Sequence, residues 1–508
     1  MNRRYKKEVE SSCEYILPDY MGDIKKILSS RAECIPAGRF LTDSGVEITG
    51  AIEYEILYAD SENKLTAITS SSDYSVSIPT DAAVYVDCAQ HSRVSSMNIR
   101  ITGPRKISMK FGVETSATVT SSASCEVAGD AFSSDREPEH TTRVINTENS
   151  IYGKSVEREY AEEGERMRDV AAEDVEIISS SGRVRVFETR AVDGGVEIKG
   201  ELVIVAIVRT PEQPPFSIRR TIPFEERVEI DGVTKDMQVV ADGCVTSAVC
   251  GVGEDGEETV ITVNAIVEFE AYAVENESVS VITDAYLLDA ETVNEYADLE
   301  YTTLGSCQIN ELTISDKISR EAIGCADARD ILVMYADVRS ASAENLGNAV
   351  EYKGEIAISG VACEINVDST VTYVPIKMSR PFVQNVNLNC QNYANSIIDY
   401  SIQPVLCEGS FDADDMYVKC ILKVKTKLSA PSKITRLATC SVGGDAEIMA
   451  SASRITVYYP SADDTLFSVA KRFHTTAAKL CCDNSIEATA STHDAPDSLS
   501  GVKKLLIR

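Results

Sequence analysis

Gly251-Val252-Gly253-Glu254-Asp255-Gly256 has the G-x-G-x-x-G spacing of a dinucleotide loop, in which amides at the start of a helix cradle pyrophosphate. Here Glu254, Asp255, Glu257 and Glu258 would repel a phosphate and a strand-like run begins at Val260, so the spacing predicts a hairpin turn. Asp412, Asp414 and Asp415 are arranged like the start of a calcium loop. Tyr417 and Lys423 stand where an EF-hand needs Gly and Glu, and an acidic turn before a strand is the better reading. His91, His140, His474 and His493 have no neighbouring ligand at metal spacing. His474 ends a predicted helix, where a cation complements the dipole. No G-x-S-x-G or phosphate-loop motif occurs, and no nucleophile, base and orienter fall into a pattern. The chain is therefore expected to be no enzyme, with no catalytic residues, no cofactor and no metal.

Lys419, Lys423, Lys425 and Lys427 share one face of a predicted strand in an acidic body. A solvated face or a lysine-protected sheet edge is the plainer reading. The alternative is a docking stripe for an acidic unit of the same chain or of a partner.

Stepping from these residues to what must carry them, 508 residues predict three to four domains. Forty-nine Lys and Arg against 80 Asp and Glu give a net charge of −31, which speaks against nucleic-acid phosphates and anionic lipid as partners. The absence of Trp and the 6% aromatic content leave few stacking platforms. Met1 to Lys7 lead into Glu8 and Glu10 instead of an apolar stretch, so no secretory signal is read. The apolar run Leu202 to Val208 is too short to cross a bilayer, so no membrane insertion is expected. The 15 scattered cysteines, with no C-x-x-C, read as reduced and mostly buried.

One strand-like signal recurs three times: Gly45-Val46-Glu47-Ile48-Thr49-Gly50, Gly195-Val196-Glu197-Ile198-Lys199-Gly200 and, more loosely, Ala349-Val350-Glu351-Tyr352-Lys353-Gly354. After each closing glycine the apolar residues alternate in the same register: Ile52, Tyr54, Ile56; Leu202, Ile204, Ala206; Ile356, Ile358. Later come Ile107, Met109, Phe111, Val113; Ile261 to Phe269; and Val418, Cys420, Leu422, Val424, again with period two. Period two means half-buried strands. The fold class expected is mainly β: three repeated antiparallel β-sandwich or partly open barrel modules. The shared glycine would suit a bulge or bend. Residues 128–165, polar and acidic, are expected to be a linker with the second module's opening segment, and 287–314 a connecting strap.

Residues 454–508 differ in kind. Ile455 to Tyr458 is strand-like, Asp464 or Thr465 can cap a helix carrying Leu466, Val469, Ala470 and Phe473 on one face, Thr476 can cap a second, and Leu505 to Ile507 closes a βααβ unit. On Asp464-Thr465-Leu466-Phe467-Ser468-Val469-Ala470, Phe473, Thr475-Thr476, Leu480, Asn484 and Gly501 through Ile507, this tail resembles a LysM domain. Glu14 to Leu28, Val46 to Gly50 with Tyr54 and Leu57-Tyr58, and Thr283-Asp284-Ala285-Tyr286 resemble the SPOCS family, a repeated module of spore-formers. The domains read are a SPOCS-like module at 8–127, the linker at 128–165, a second module at 166–286, the strap at 287–314, a degenerate third module at 315–445 and the LysM-like tail.

The two resemblances imply a non-enzymatic adaptor of spore-envelope assembly, cytoplasmic in the mother cell and recruited to the forespore surface. Its partner would be the coat's basal-layer morphogenetic ATPase or another envelope protein, and self-association is left open. The rival is a peptidoglycan-binding protein whose tail holds N-acetylglucosamine chains, with the modules as spacer. Asp463 replaces the usual Gly and residues 485–500 lengthen the second groove loop, both of which favour a protein contact. The exposed contact residues expected are Asp464, Thr465, Phe467, Ser468 and Asn484, with Leu499 and Gly501 in the last loop.

Overall fold

The computed structural model describes residues 2–42, 45–79, 87–120, 126–131, 138–151, 155–168, 170–256, 258–368, 370–388, 396–445, 455–486, 499 and 502–507. Among the described residues strands dominate, in several antiparallel sheets of which none is closed.

The chain opens with β1 (Asn2–Ile16), β2 (Ile24–Thr42), β3 (Gly45–Asp60), β4 (Leu65–Pro79), β5 (Asp87–Gly103) and β6 (Lys106–Thr120). After β7 (Pro138–Ile151) come β8 (Ser155–Met167), β9 (Glu176–Val192), β10 (Gly195–Arg209), β11 (Phe216–Glu229), β12 (Gln238–Asp255) and β13 (Glu258–Leu287). Then follow β14 (Ala290–Ser319), β15 (Asp330–Asn345), β16 (Ala349–Ile365), β17 (Val371–Asn387), β18 (Ile397–Phe411) and β19 (Asp415–Asp445). The tail holds β20 (Thr456–Tyr458), α1 (Leu466–Arg472), α2 (Ala477–Asn484) and β21 (Leu505–Ile507).

One pairing scheme occurs three times. The sheets β2-β3-β4, β9-β10-β11 and β15-β16-β17 are meanders. Each faces a sheet in which the unit's last strand lies between its first and its penultimate strand: β1-β6-β5, β8-β13-β12 and β14-β19-β18. The alternating residues read from the sequence line the cores: Ile107, Met109, Phe111 and Val113 on β6 meet Ile52, Tyr54 and Ile56 on β3. On β13, Ile261 through Phe269 and, on β19, Val418 through Val424 fill the equivalent places in the other two units. Full burial of a side chain such as Phe111 is worth about 1.5–3 kcal/mol, so the inward face of each central strand is where the fold gets its driving force.

Over most of its described residues the stretch 128–165 is strand and not linker, and the opening segment expected for the second module is there as β8. It carries β7 and β8, both paired with β13, and β8 is the first strand of the second unit. Glu157, Glu159, Glu163 and Glu165 on β8 are exposed, which gives the stretch a linker's composition although it is paired. Most of the connecting strap expected at 287–314 is strand β14, which pairs with β19 along its whole length.

Both β13 and β19 outrun their units. Residues 273–287 of β13 pair with β7, and residues 290–304 of β14 pair with 429–445 of β19. The two ribbons bury Ile145, Val281 and Ile434, then Ile282, Ala285 and Leu437, between them, forming an arm built without a recurring core of its own.

The three units meet at one junction. Leu28, Leu57 and Leu65 of the first, Ile207 of the second and Leu332, Tyr335 and Val361 of the third form a shared apolar cluster. The unbroken apolar run Leu202 to Val208 thereby has its cause: this end of β10 packs into its own core with even-numbered residues, and Ile207 on its other face reaches the junction.

The expected bulges are present, but on the neighbouring strand. Register shifts skip Ala37, Phe187 and Arg339, opposite or next to the pairings of Gly50, Gly200 and Gly354. The G-x-G-x-x-G segment ends β12, with Gly256 at positive φ in the turn to β13. Asp412 and Asp415 close the β18–β19 hairpin through Asp412 N–H donating to the Asp415 carbonyl at 2.8 Å.

Candidate functional site

The tail is seated on the tip of the arm. Tyr286, near the end of β13, donates its hydroxyl to the Thr475 carbonyl at 2.6 Å and meets the Phe467 ring edge-on, centroids 5.2 Å apart. Lys471 on α1 donates to both carboxylate oxygens of Asp284, at 2.6 and 2.7 Å. His474 reaches the Leu287 carbonyl at 3.0 Å and Glu291 at 3.3 Å. His474 follows the end of α1 at φ +48° and bridges the tail to the arm. The Asp284-Ala285-Tyr286 segment is thus the tail's seat.

The contact residues read from the sequence are mostly engaged inside the protein. Asp464, expected to be exposed, is 9% exposed: it accepts from the Tyr458 hydroxyl at 2.6 Å and from Ser461 N–H at 2.7 Å, which fixes the β20–α1 loop. Those hydrogen bonds, Tyr458 first, hold its carboxyl below the usual range. Thr465 caps α1 reciprocally with Ser468, so both hydroxyls are used by the helix start. Phe467 is half-buried against Tyr286. Asn484 donates to the Leu480 and Leu506 carbonyls and accepts from Leu506 N–H, tying α2 to β21. Leu499 belongs to the tail core. Gly501, like His493, lies outside the described residues. Among the described residues the tail turns outward Ile455, Val457, Tyr459, Asp463, Arg472 and Lys479, with others.

The lysine stripe resolves in favour of docking within the chain. β19 is a central strand, not an edge. Lys423, 6% exposed, pairs with Asp242 on β12 of the second unit, Lys425 reaches the other oxygen of Asp242 at 2.5 Å, and Lys427 pairs with Glu148 on β7. Only Lys419 keeps to the surface among the four. Burial by itself would raise the Asp242 carboxyl, but the two ammonium groups and their hydrogen bonds outweigh it and hold the acid well below its ordinary range.

Sequence reasoning missed the polar hub beside the junction, a cavity of about 980 Å³ lined by all three units. Buried Glu55 of β3 accepts from Ser179 of the second unit at 2.8 Å and from the Tyr335 hydroxyl of the third at 2.7 Å, with Arg31 at 3.6 Å. Arg183 of the second unit donates to Glu33 of the first at 2.6 Å. Burial first, then the Glu55 charge, pushes the Tyr335 hydroxyl far up, so it stays a donor. Glu55 thus takes hydrogen bonds from the second and third units, and Glu33 an ion pair from the second, so polar contacts tie the three units together here. Among the described residues no group of three or more His, Cys, Asp or Glu is placed to hold a metal ion.

Fold and site define a modular antiparallel β protein with a small helical tail seated on an arm. Residues 175–252, running from β9 through most of β12, match the family model described as SipL, SPOCS domain, which points to a sporulation-related protein. No curated protein matches. Among solved structures, one titled crystal structure of lipopolysaccharide binding protein aligns at 9% identity over 52% of this chain and 91% of that one, with a TM-score of 0.08, which carries no argument. Among the described residues no helix is long and apolar enough to cross a membrane.

Proposed function

We propose that the chain is a non-enzymatic scaffold of spore-envelope assembly. In this reading three SPOCS-type units form a rigid body, the arm projects from it, and a LysM-like tail at the arm's tip contacts the coat's basal-layer morphogenetic ATPase or another envelope protein. The observation that carries the reading is the SPOCS match across the second unit, whose strand order recurs in the first and third. Two features of the geometry support an adaptor. In the inter-unit cavity Glu33 pairs with Arg183 of the second unit, and Glu55 accepts from Ser179 of the second unit and Tyr335 of the third. The tail is held in a fixed orientation by the Tyr286 and Asp284 contacts.

A fluorescent fusion of the full chain, followed through sporulation, tests this. A shell around the developing spore is the expected result, and signal spread evenly through the mother cell overturns it. Sedimentation of the full chain with purified spore-cortex peptidoglycan addresses the tail's ligand: no co-pelleting is expected for a protein-binding tail, and strong co-pelleting would assign it to glycan.

A further inference from the structure

We propose that Cys407 and Cys420 are a redox modification site, a cross-strand dithiol in the third unit that a hydroperoxide converts to a disulfide. The two residues face each other in register on β18 and β19, and their sulfurs are 3.2 Å apart. A disulfide needs about 2.05 Å between sulfurs, so closure asks for roughly 1 Å of approach. Neighbourhood in sequence alone does not produce this: Cys481 and Cys482 are adjacent, yet one is buried and the other exposed.

Access is the second observation. Cys420 is fully buried, whereas Cys407 is half-buried and lines the cavity where the three units meet. That cavity, at about 980 Å³, admits a molecule the size of a small peroxide. Cys407 is accordingly the sulfur that is oxidised first and Cys420 the one that resolves it. The Cys407 thiol gives up its proton as its sulfur attacks one peroxide oxygen, the O–O bond breaks, and the departing oxygen takes up a proton, leaving a sulfenic acid and an alcohol or water. The Cys420 sulfur then displaces hydroxide from that sulfenic acid, the thiol proton leaves with it as water, and the S–S bond forms. Two thiols are oxidised and one peroxide is reduced.

The hydrogen bond shared with Cys420, then burial, holds the Cys407 thiol in its neutral form, so the pair remains a dithiol in a reducing compartment and closes only under sustained oxidant. Closure would tie together the hairpin that contains Asp412 and Asp414, a wall of the cavity beside Met334 of β15.

The test uses the full chain with hydrogen peroxide, quenching with N-ethylmaleimide, and non-reducing tryptic mass spectrometry. Cleavage after Lys419 and Lys423 separates the two cysteines, and Pro381 after Arg380 keeps Cys390 on the Cys407 peptide. The expected product joins residues 378–419 to 420–423 and is released by dithiothreitol. In Cys407→Ser the link should disappear. Persistence of the link in that variant would place it on Cys390, and its absence from the oxidised wild-type chain would mean that the pair does not close; either result overturns the proposal.

Discussion

Phe224 occupies the space that a side chain on Gly200 would need. The two residues are registered partners across β10 and β11, and a Cβ on Gly200 would stand 2.6 Å from the Phe224 ring and 2.2 Å from the Arg185 carbonyl oxygen. Gly50 meets Tyr74 and the Ile35 carbonyl, and Gly354 meets Phe382 and the Ser340 carbonyl, in the same manner. None of the three has a positive φ, so the demand is for room, with an aromatic ring packed over bare backbone. Gly200→Ala should therefore destabilise by about 1–3 kcal/mol, the usual range for overpacking. Gly253→Ala on β12, where the nearest atom would be 4.0 Å away, should stay within about 0.5 kcal/mol. Urea unfolding midpoints of both variants check the contrast.

Asp242 is the carboxylate on which the lysine stripe closes. Asp242→Asn removes the charge opposite Lys423 and Lys425 and leaves a buried ammonium without its counter-ion. Breaking a buried pair in this way costs about 3–5 kcal/mol, whereas Lys419→Ala, at the exposed end of the stripe, should change little. Equal losses in the two variants would show that the stripe is a solvated face after all.

The pH dependence follows from the same groups. Burial opposes ionisation of Asp242 and of Glu33, but Lys423 and Lys425 in one case and Arg183 and Arg31 in the other lower both. A carboxyl lowered on folding contributes stability that is complete above its unfolded pKa, about 3.9–4.3, and lost as the pH falls through the folded value. Asp337 runs the other way: burial leads and raises it, so its contribution is present at acid pH and lost as the pH rises through the folded value. Urea midpoints should hold level or rise slightly from about pH 7 to about pH 5 and fall below about pH 4. Asp242→Asn should flatten that acid fall.

The cores were legible because their signal is local. Ile107, Met109, Phe111 and Val113 alternate within one strand, and no knowledge of the partner sheet is needed to see it. Glu55 was not legible, because an acid between Tyr54 and Ile56 has the pattern of an outward residue, and its partner Tyr335 lies 280 residues away. Strand β7 is hidden by composition: the acids around 135–139 and 157–165 give the stretch a linker's character, while Glu148 of β7 is made structural by Lys427 of β19, far away in sequence. Asp464 failed for a different reason. Its motif was read for a ligand, although the hydroxyl of Tyr458, six residues earlier, already satisfies it.

Tyr286 carries the last prediction. It is 1% exposed, and its neighbours belong to the tail core, although it is itself a residue of β13. Tyr286→Ala removes the ring against Phe467 and the hydrogen bond to Thr475 together, and an aromatic-to-alanine change in a core costs about 3–5 kcal/mol. That loss falls on the seat, since the three unit cores do not include this side chain. Hydrogen exchange should therefore speed up across 466–484 while residues 202–208, in the junction strand, keep their protection. Tyr459→Ala, at a tail position 70% exposed, should alter neither region. If exchange across 466–484 is unchanged in Tyr286→Ala, the tail holds its place without the arm, and the fixed presentation that the adaptor reading requires has some other source.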